Sequence, residues 1–276
     1  MEQNQYKKQF LATFEKLARR YDRHRVFTDF VTMSSISLSQ GGLAAGGWKK
    51  DEQEENIFLE IERQYGPKVI QESFADLFAA TVLGLEHEQG DWLGEIYSEL
   101  KLGNTALGQF FTPFHISKMM AKLTLDDQSI APSEIRKKGY VTLSEPTCGS
   151  GGMVLAFAEV FREAGYDSAT QLFAVAQDIS STAACMAHIQ LSLCGIPALV
   201  LNKDSLTFEP PRWARYTPVY YLLGWPFKLA REMRRRKETP ENKQDVADLT
   251  VSKTQQLPAP DKKPKKSFLK YLWDRF

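Results

Sequence analysis

The sequence has 276 residues, of which 43% are hydrophobic and 25% are charged, a balance typical of a soluble globular protein. A formal net charge of +1 gives no overall argument for nucleic acid, although a local basic patch remains compatible with it. The first residues lack the apolar core of a signal peptide, and the longest apolar run, from Phe74, is too short to span a bilayer and carries Asp76. These features predict a cytoplasmic protein with no membrane partner.

The three cysteines, Cys148, Cys185 and Cys194, are odd in number and follow no disulfide spacing, which favours a reducing compartment. Cys185 and His188 share a helix face, with Cys194 further along, so a metal site is one interpretation. Structural zinc sites usually have four ligands in tighter pairs. The favoured interpretation is therefore small core residues and no bound metal.

Residues 1–105 are predicted to be helical. Phe10, Phe14, Leu17 and Tyr21 form one apolar stripe at helical spacing. A glycine-rich segment at 39–53 predicts a break. Further helices are expected at 55–66 and 69–88.

From about residue 106 the pattern changes to strands alternating with helices, which indicates parallel pairing with right-handed crossovers. Because ligands of such sheets bind at the carboxyl ends of the strands, the residues that end the strands should converge there. The predicted strands are 139–146, 171–178, 198–204 and 218–224, the predicted helices are 153–166 and 181–196, and the strand-end residues are Glu145, Asp178, Asp204 and Gly224.

After about residue 230 basic residues outnumber acidic ones and apolar residues are sparse, so a solvated linker is predicted. The sequence thus divides into a helical region (1–105), an α/β domain (106–230) and a basic linker with a short aromatic tail (231–276). In the tail, Phe268, Leu272 and Trp273 are expected to pack against protein.

A glycine-rich turn joins the first predicted strand to its helix. Gly149, Gly151 and Gly152 permit tight turning and close approach of the backbone to a ligand. Val154 stands where a dinucleotide-binding fingerprint needs its third glycine, which disfavours a nicotinamide enzyme. Asp178 is placed either to accept both hydroxyls of a ribose or to cap a helix, and Asp204 either to bind an adenine amino group or to cap a turn.

Four segments, "GQFFTPFHISKMM", "LSEPTCGSGGM", "AQDIS" and "LNKDSL", resemble in order the cofactor motifs of adenine-N6 DNA methyltransferases. The likeness is greatest to the modification subunits of type I restriction systems and their plasmid or phage relatives, over roughly residues 50–230. It implies an α/β fold, the Rossmann-like sheet of class I S-adenosylmethionine-dependent methyltransferases, with a helical domain in front. It also implies S-adenosylmethionine as cofactor.

The resemblance assigns roles to individual residues. Thr112 has a second interpretation, because Thr before Pro113 is a good N-cap with proline at the first helical position. By the resemblance, Phe110, Phe111 and Thr112 would hold the methionine end of the cofactor, Glu145, Gly149 and Gly151 would surround its amino acid and sulfonium, Asp178 would bind the ribose and Asp204 the adenine.

The family ends its fourth strand with Asn/Asp-Pro-Pro-Tyr/Phe, whose polar groups accept both hydrogens of the target amine while the aromatic ring stacks on a flipped base. Gly224, Trp225, Pro226 and Phe227 are the predicted counterparts, and would be the catalytic residues. Gly224 has no side-chain oxygen, and loss of one such contact costs on the order of a hundredfold to a thousandfold in rate. The sheet is also expected to stop after strand four, which leaves an open edge.

Two functions follow as hypotheses. The first is methyl transfer from S-adenosylmethionine to adenine N6 in DNA, as part of a restriction–modification system with a specificity or restriction subunit as partner. The second is a cofactor-binding module with weak or no catalysis, acting as a partner or decoy in restriction–modification or plasmid biology. Gly224 favours the second hypothesis, and the intact glycine turn favours retained cofactor binding.

Overall fold

A computed structural model describes residues 5–88, 90–103, 111–125 and 130–238. The described residues up to Leu100 are mainly helical, as predicted, and Phe10, Phe14 and Leu17 are buried along one stripe. These elements are α1 (Gln5–Ala18), α2 (Arg23–Ala45), α3 (Glu52–Tyr65), α4 (Pro67–Val69), a π-helical turn (Ile70–Phe74), α5 (Ala75–His87) and α6 (Trp92–Glu99).

The remainder builds a sheet with helices on its faces. The first three predicted strands and the two helices between them are confirmed. The elements are α7 (Phe114–Leu125), α8 (Ile130–Lys138), β1 (Val141–Glu145), α9 (Gly152–Glu163), α10 (Ser168–Gln171), β2 (Leu172–Asp178), α11 (Ser181–Leu193), β3 (Ala198–Asn202), β4 (Trp213–Tyr216), α12 (Pro218–Leu222) and α13 (Trp225–Glu238).

The sheet has four strands in the order β1-β2-β3-β4. Strands β1, β2 and β3 run parallel, so their carboxyl ends lie at one edge of the sheet. Strand β4 runs antiparallel to β3, with Asn202 opposite Trp213. Over the described ranges, β1 is one outer strand and β4 the other, which confirms that the sheet stops at four strands.

The predicted fourth strand at 218–224 is wrong. That segment forms α12 and the turn after it, and β4 lies earlier in the chain. A short apolar run suits a buried strand or a buried helix equally well, and its flanking residues decide between them. Here Pro218 takes the first helical position, where its missing N–H costs nothing.

The predicted glycine-rich break begins later than expected, because α2 continues through Gly41 and Gly42 to Ala45. A β-carbon at Gly42 would lie 2.8 Å from the Cα of Pro218, so glycine is required where α2 meets α12. The packing of a distant element therefore overrides the low helix propensity of this pair.

The linker prediction is wrong over its first residues, since α13 runs to Glu238. Between Lys228 and Glu238 this helix has no glycine, proline or β-branched residue. Its first turn is anchored by Trp225, whose indole is only 1% exposed. The tail residues Phe268, Leu272 and Trp273 lie outside the described residues, and their packing stays a prediction.

Helix α11 connects the two parts of the fold. Its residues Cys185, Met186 and Ile189 belong to the core of the N-terminal helices, whereas Ala184, Ala187 and Leu191 belong to the core between the sheet and α9. A second layer covers the other face of the sheet with residues from α2, α12 and α13. The N-terminal helices are thus packed directly on the sheet.

Candidate cofactor site

The turn between β1 and α9 requires glycine at two positions. Gly149 and Gly151 have φ angles of +55° and +96°, in the left-handed region that favours glycine. A β-carbon at Gly149 would lie 2.9 Å from the ring of Phe111, and one at Gly151 would lie 3.2 Å from the Cα of Ala187. The turn is therefore pressed between the Phe-Thr-Pro segment and α11, which brings two of the predicted motifs into contact.

Asp178, at the end of β2, fixes the glycine turn from the neighbouring strand. Its carboxylate accepts the N–H of Gly149 at 2.8 Å and the N–H of Ser180 at 2.8 Å. The side chain of Asn202, at the end of β3, donates to the carbonyls of Asp178 and Ile179 at 3.0 Å each. Three consecutive strand ends are thus connected by hydrogen bonds, as expected for convergence at this edge.

Glu145 ends β1 and is half-buried. Its carboxylate accepts the N–H of Thr147 at 3.2 Å. Burial, with the nearby charges of Asp178 and Glu145, raises the pKa of the Cys148 thiol well above its usual value. The thiol therefore stays protonated and is no candidate nucleophile, and the two carboxylates give this end of the sheet a negative character.

Asp204 lies two residues beyond β3 and is half-buried. Its carboxylate accepts the N–H of Leu206 at 2.9 Å, which confirms the turn-capping role that was one of its two interpretations. A carboxylate oxygen that accepts one hydrogen bond keeps capacity for another. The capping role is therefore compatible with a ligand contact.

The Phe-Thr-Pro segment lies beside the glycine turn. The ring of Phe111 packs on Tyr97 with centroids 5.6 Å apart. Helix α7 begins at Phe114, and the carbonyl of Pro113 accepts the N–H of Ser117 at 3.2 Å. Pro113 therefore takes the N-cap position, and the prediction of Thr112 as N-cap is one residue too early. Phe110 lies outside the described residues.

A buried carboxylate that the sequence analysis missed is hydrogen-bonded to the glycine turn. Asp91, 5% exposed, accepts hydrogen bonds from the hydroxyl of Ser150, from the side chain of Gln190 at 2.8 Å and from the N–H of Gly94 at 3.1 Å. Gln190 also donates to the carbonyl of Ser150 at 2.8 Å. Burial raises the pKa of Asp91, while these hydrogen bonds oppose the shift. The only local signal is an aspartate three residues before Gly94 at a helix start.

The segment predicted to be catalytic lies at the other end of the sheet. The indole of Trp225 donates to the carbonyl of Ala169 at 2.9 Å, and Lys228 donates to the carbonyls of Gly139 at 3.1 Å and Thr170 at 2.7 Å. These three carbonyls precede β1 and β2, at their amino ends. The prediction that Gly224, Trp225, Pro226 and Phe227 end a strand beside the cofactor site is wrong, because α12 follows an antiparallel β4 that returns the chain to the amino end.

Trp225 has a structural role at this end. Its indole packs on Tyr140 and Phe173 with ring centroids 5.3 and 5.5 Å apart, and the ammonium of Lys228 lies 4.6 Å from the Trp225 ring centroid. Phe227, by contrast, is 65% exposed. Trp225 is therefore a core residue, whereas Phe227 is on the surface.

A second buried polar network connects α2, α3, β4 and α11. Arg215 pairs with Glu54 and donates to the hydroxyl of Ser35 at 2.9 Å. Ser35 lies 3.0 Å from Nδ1 of His188, and Nε2 of His188 lies 3.1 Å from the carbonyl of Tyr216. The carbonyl can only accept, so Nε2 carries the proton and Nδ1 accepts from Ser35.

Both nitrogens of His188 are thus used within the fold. Burial, reinforced by the charge of Arg215, lowers the pKa of His188 to about 3. Across the described ranges no group of three or more histidine, cysteine or acidic side chains is placed to hold a metal ion. Cys185 and His188 are core residues in this arrangement.

The family model for N-6 DNA methylase matches residues 88–240, more than half of the chain. The chain belongs to the N-6 DNA methylase family. The mixed four-stranded sheet with flanking helices is consistent with the class I methyltransferase fold of this family, in a form shortened to four strands. No curated protein and no solved structure matches the chain significantly.

The matched range contains the glycine turn, Asp91, Asp178 and Asp204, and also the segment Gly224–Phe227. It excludes α1 to α5, although α2 packs on α11 and on β4. In the part of the chain described here, no helix is long and apolar enough to cross a membrane.

Proposed function

We propose that the chain binds S-adenosylmethionine, or its demethylated product, at the carboxyl ends of β1, β2 and β3. The observation that carries the proposal is the hydrogen bond from Gly149 to Asp178, which joins the glycine turn to the acid of the next strand. The acceptor groups suit this cofactor, since carboxylates at adjacent strand ends match the hydroxyl, amino and sulfonium groups that it presents.

Each predicted binding residue at this end has a role in the proposal. Bound S-adenosylmethionine supplies an electrophilic methyl group on a sulfonium cation, next to which a carboxylate is favourable. Phe111 and Thr112, with Phe110, contact the methionine end, Glu145, Gly149 and Gly151 surround the amino acid and the sulfonium, Asp178 binds the ribose and Asp204 the adenine.

We further propose that methyl transfer by this chain alone is weak or absent. Gly224 lacks a side-chain oxygen, and the segment that it begins lies at the amino end of the sheet, far from the strand ends that would hold the methyl donor. In this proposal the chain acts as a cofactor-binding partner of a specificity or restriction subunit. The family match favours a second candidate, methylation of adenine N6 in DNA, in which other residues would supply the acceptor.

Isothermal titration calorimetry with both ligands tests cofactor binding. Asp178→Ala should weaken it about fivefold to 150-fold, because unpaired ribose hydroxyls cost about 1–3 kcal/mol. Asp167→Ala is the matched control, since this aspartate also accepts two hydrogen bonds near β2 but lies at its amino end. Absence of heat from either ligand with folded wild-type protein contradicts the proposal.

Transfer of a tritiated methyl group to a mixed-sequence DNA pool separates the two candidates. The first predicts negligible incorporation by protein free of host methyltransferases. Robust incorporation into adenine would select the second, and would show that the acceptor lies outside Gly224–Phe227.

A further inference from the structure

Two basic segments that are distant in sequence meet at the amino end of the sheet. Helix α8 ends in Arg136, Lys137 and Lys138, and α13 carries its arginines from Arg231 onward. The guanidinium of Arg235 donates to the carbonyl of Lys137 at 3.3 Å, which joins the two helices. We call the combined surface of Arg136, Lys137, Arg231, Arg234 and Arg235 the basic ridge.

The charge of the ridge differs from that of the whole chain. Helices α8 and α13 together contain nine basic and three acidic residues, although the formal net charge of the protein is only +1. Two of the acids are already paired, Glu134 with Lys138 at 2.6 Å and Glu232 with Arg235 at 3.0 Å. Among the described residues, Arg136, Lys137, Arg231 and Arg234 form no salt bridge, and all four are exposed.

The shape of α13 adds to this charge. Phe227, Ala230, Arg231, Arg234 and Arg235 line a shallow groove of about 390 Å³ along the helix. These residues recur every three or four positions, so the guanidinium groups project from one face. The ridge arginines of α13, from Arg231 to Arg235, extend over about 6 Å at the usual helical rise, which corresponds to about two base pairs of duplex.

We propose that the basic ridge binds the phosphate backbone of duplex DNA without reading its sequence. Guanidinium groups match phosphate geometry, and release of counterions from DNA rewards each neutralised phosphate. The ridge lies at the end of the sheet opposite to the candidate cofactor site, so this contact is separate from any contact with a target base. It goes beyond the proposed cofactor binding and does not depend on it.

Fluorescence anisotropy with a labelled mixed-sequence duplex, titrated at several salt concentrations without cofactor, tests the ridge. Arg231→Glu/Arg234→Glu should weaken binding about tenfold or more, and should lower the dependence of log K on log salt by about 0.9 per lost phosphate contact. The matched control is Arg19→Glu/Arg20→Glu, which reverses two exposed arginines after α1 and should bind like wild type.

Four outcomes overturn the proposal: no binding of the duplex by wild type, unchanged affinity in the ridge variant, equal weakening in the control, or binding to phosphatidylserine vesicles with none to DNA. Calorimetry with S-adenosylmethionine on the same ridge variant keeps the two proposals distinguishable. The ridge variant should retain the wild-type response to the cofactor, whatever that response is.

Discussion

Asp91 accepts a hydrogen bond from the hydroxyl of Ser150, and so joins the start of α6 to the interior of the glycine turn. Gln190 of α11 donates to the same carboxylate and to the Ser150 carbonyl. Three elements from different parts of the chain are therefore held by one buried group. The candidate cofactor site depends on the N-terminal helices as well as on the sheet.

Removal of this carboxylate should destabilise the protein and loosen the turn. Asp91→Ala leaves donors of Ser150, Gln190 and Gly94 without their acceptor, and each buried unpaired group costs about 1–3 kcal/mol. We expect a loss of at least about 2 kcal/mol in the free energy of unfolding, measured by urea denaturation. Asp76→Ala, at an exposed position of α5, should change it by less than about 0.5 kcal/mol. Equal effects of the two variants would contradict the assigned network.

His188 should make the protein acid-sensitive. Its pKa is lowered to about 3 in the folded state against 6.5 for an unperturbed histidine. As the pH falls, the unfolded chain therefore protonates this histidine at a higher pH than the folded protein does. Its contribution to stability is therefore complete above about pH 6.5 and declines as the pH falls, by about 1.4 kcal/mol per unit until the folded-state pKa is reached.

Comparison with His188→Gln isolates this contribution. The wild type should be the more stable protein at pH 7.5, and the gap in the free energy of unfolding should narrow as the pH falls from 6.5 to 4.5. His24→Gln, at an exposed position, should keep the wild-type profile. A gap that is independent of pH would exclude a buried neutral His188.

The ion pair between Arg215 and Glu54 gives a third prediction. Arg215→Met leaves the buried carboxylate of Glu54 without its charged partner, which should cost about 3–5 kcal/mol in the free energy of unfolding. Arg215→Met/Glu54→Gln should recover part of this loss, because the uncompensated charge is gone. Arg212→Met, at an exposed position three residues earlier, is the control and should be nearly neutral. Failure of the double variant to recover would show that packing, not charge, dominates.

Substitutions in the segment Gly224–Phe227 test its position at the amino end of the sheet. Trp225→Ala removes a fully buried indole and should cost about 3–5 kcal/mol, whereas Phe227→Ala should change the free energy of unfolding by less than about 0.5 kcal/mol. Phe227→Ala should leave the affinity for S-adenosylmethionine unchanged, because this residue lies at the amino end of the sheet. A large loss of cofactor affinity in that variant would contradict the arrangement described here.

Sequence reasoning succeeded where the signal was local. The three parallel strands were predicted because each is a short apolar run bounded by turn residues and followed by a helical pattern. The glycine turn was predicted because its glycines directly follow an acid that ends a strand. Convergence of Glu145, Asp178 and Asp204 then followed from the parallel topology.

Sequence reasoning failed where contacts between residues far apart in the chain determine the local structure. The apolar pattern of the segment from Pro218 suits a strand or a helix equally well, and both Pro218 at the first helical position and close packing against Gly42 in α2 accompany its helical form. The direction of β4 could not be read from its four residues. Asp91 was missed because its partners, Ser150 and Gln190, are 59 and 99 positions away along the chain.

Helix α11 contributes residues to two hydrophobic cores, and this affects which fragments of the protein can fold. A fragment cut at the limits of the family match, residues 88–240, would remove α2 and uncover Cys185, Met186 and Ile189, which are fully buried in the intact chain. It would also leave Arg215 without Glu54 and His188 without Ser35. We therefore expect the segment 88–240 not to fold by itself, and the intact chain to melt in a single cooperative transition.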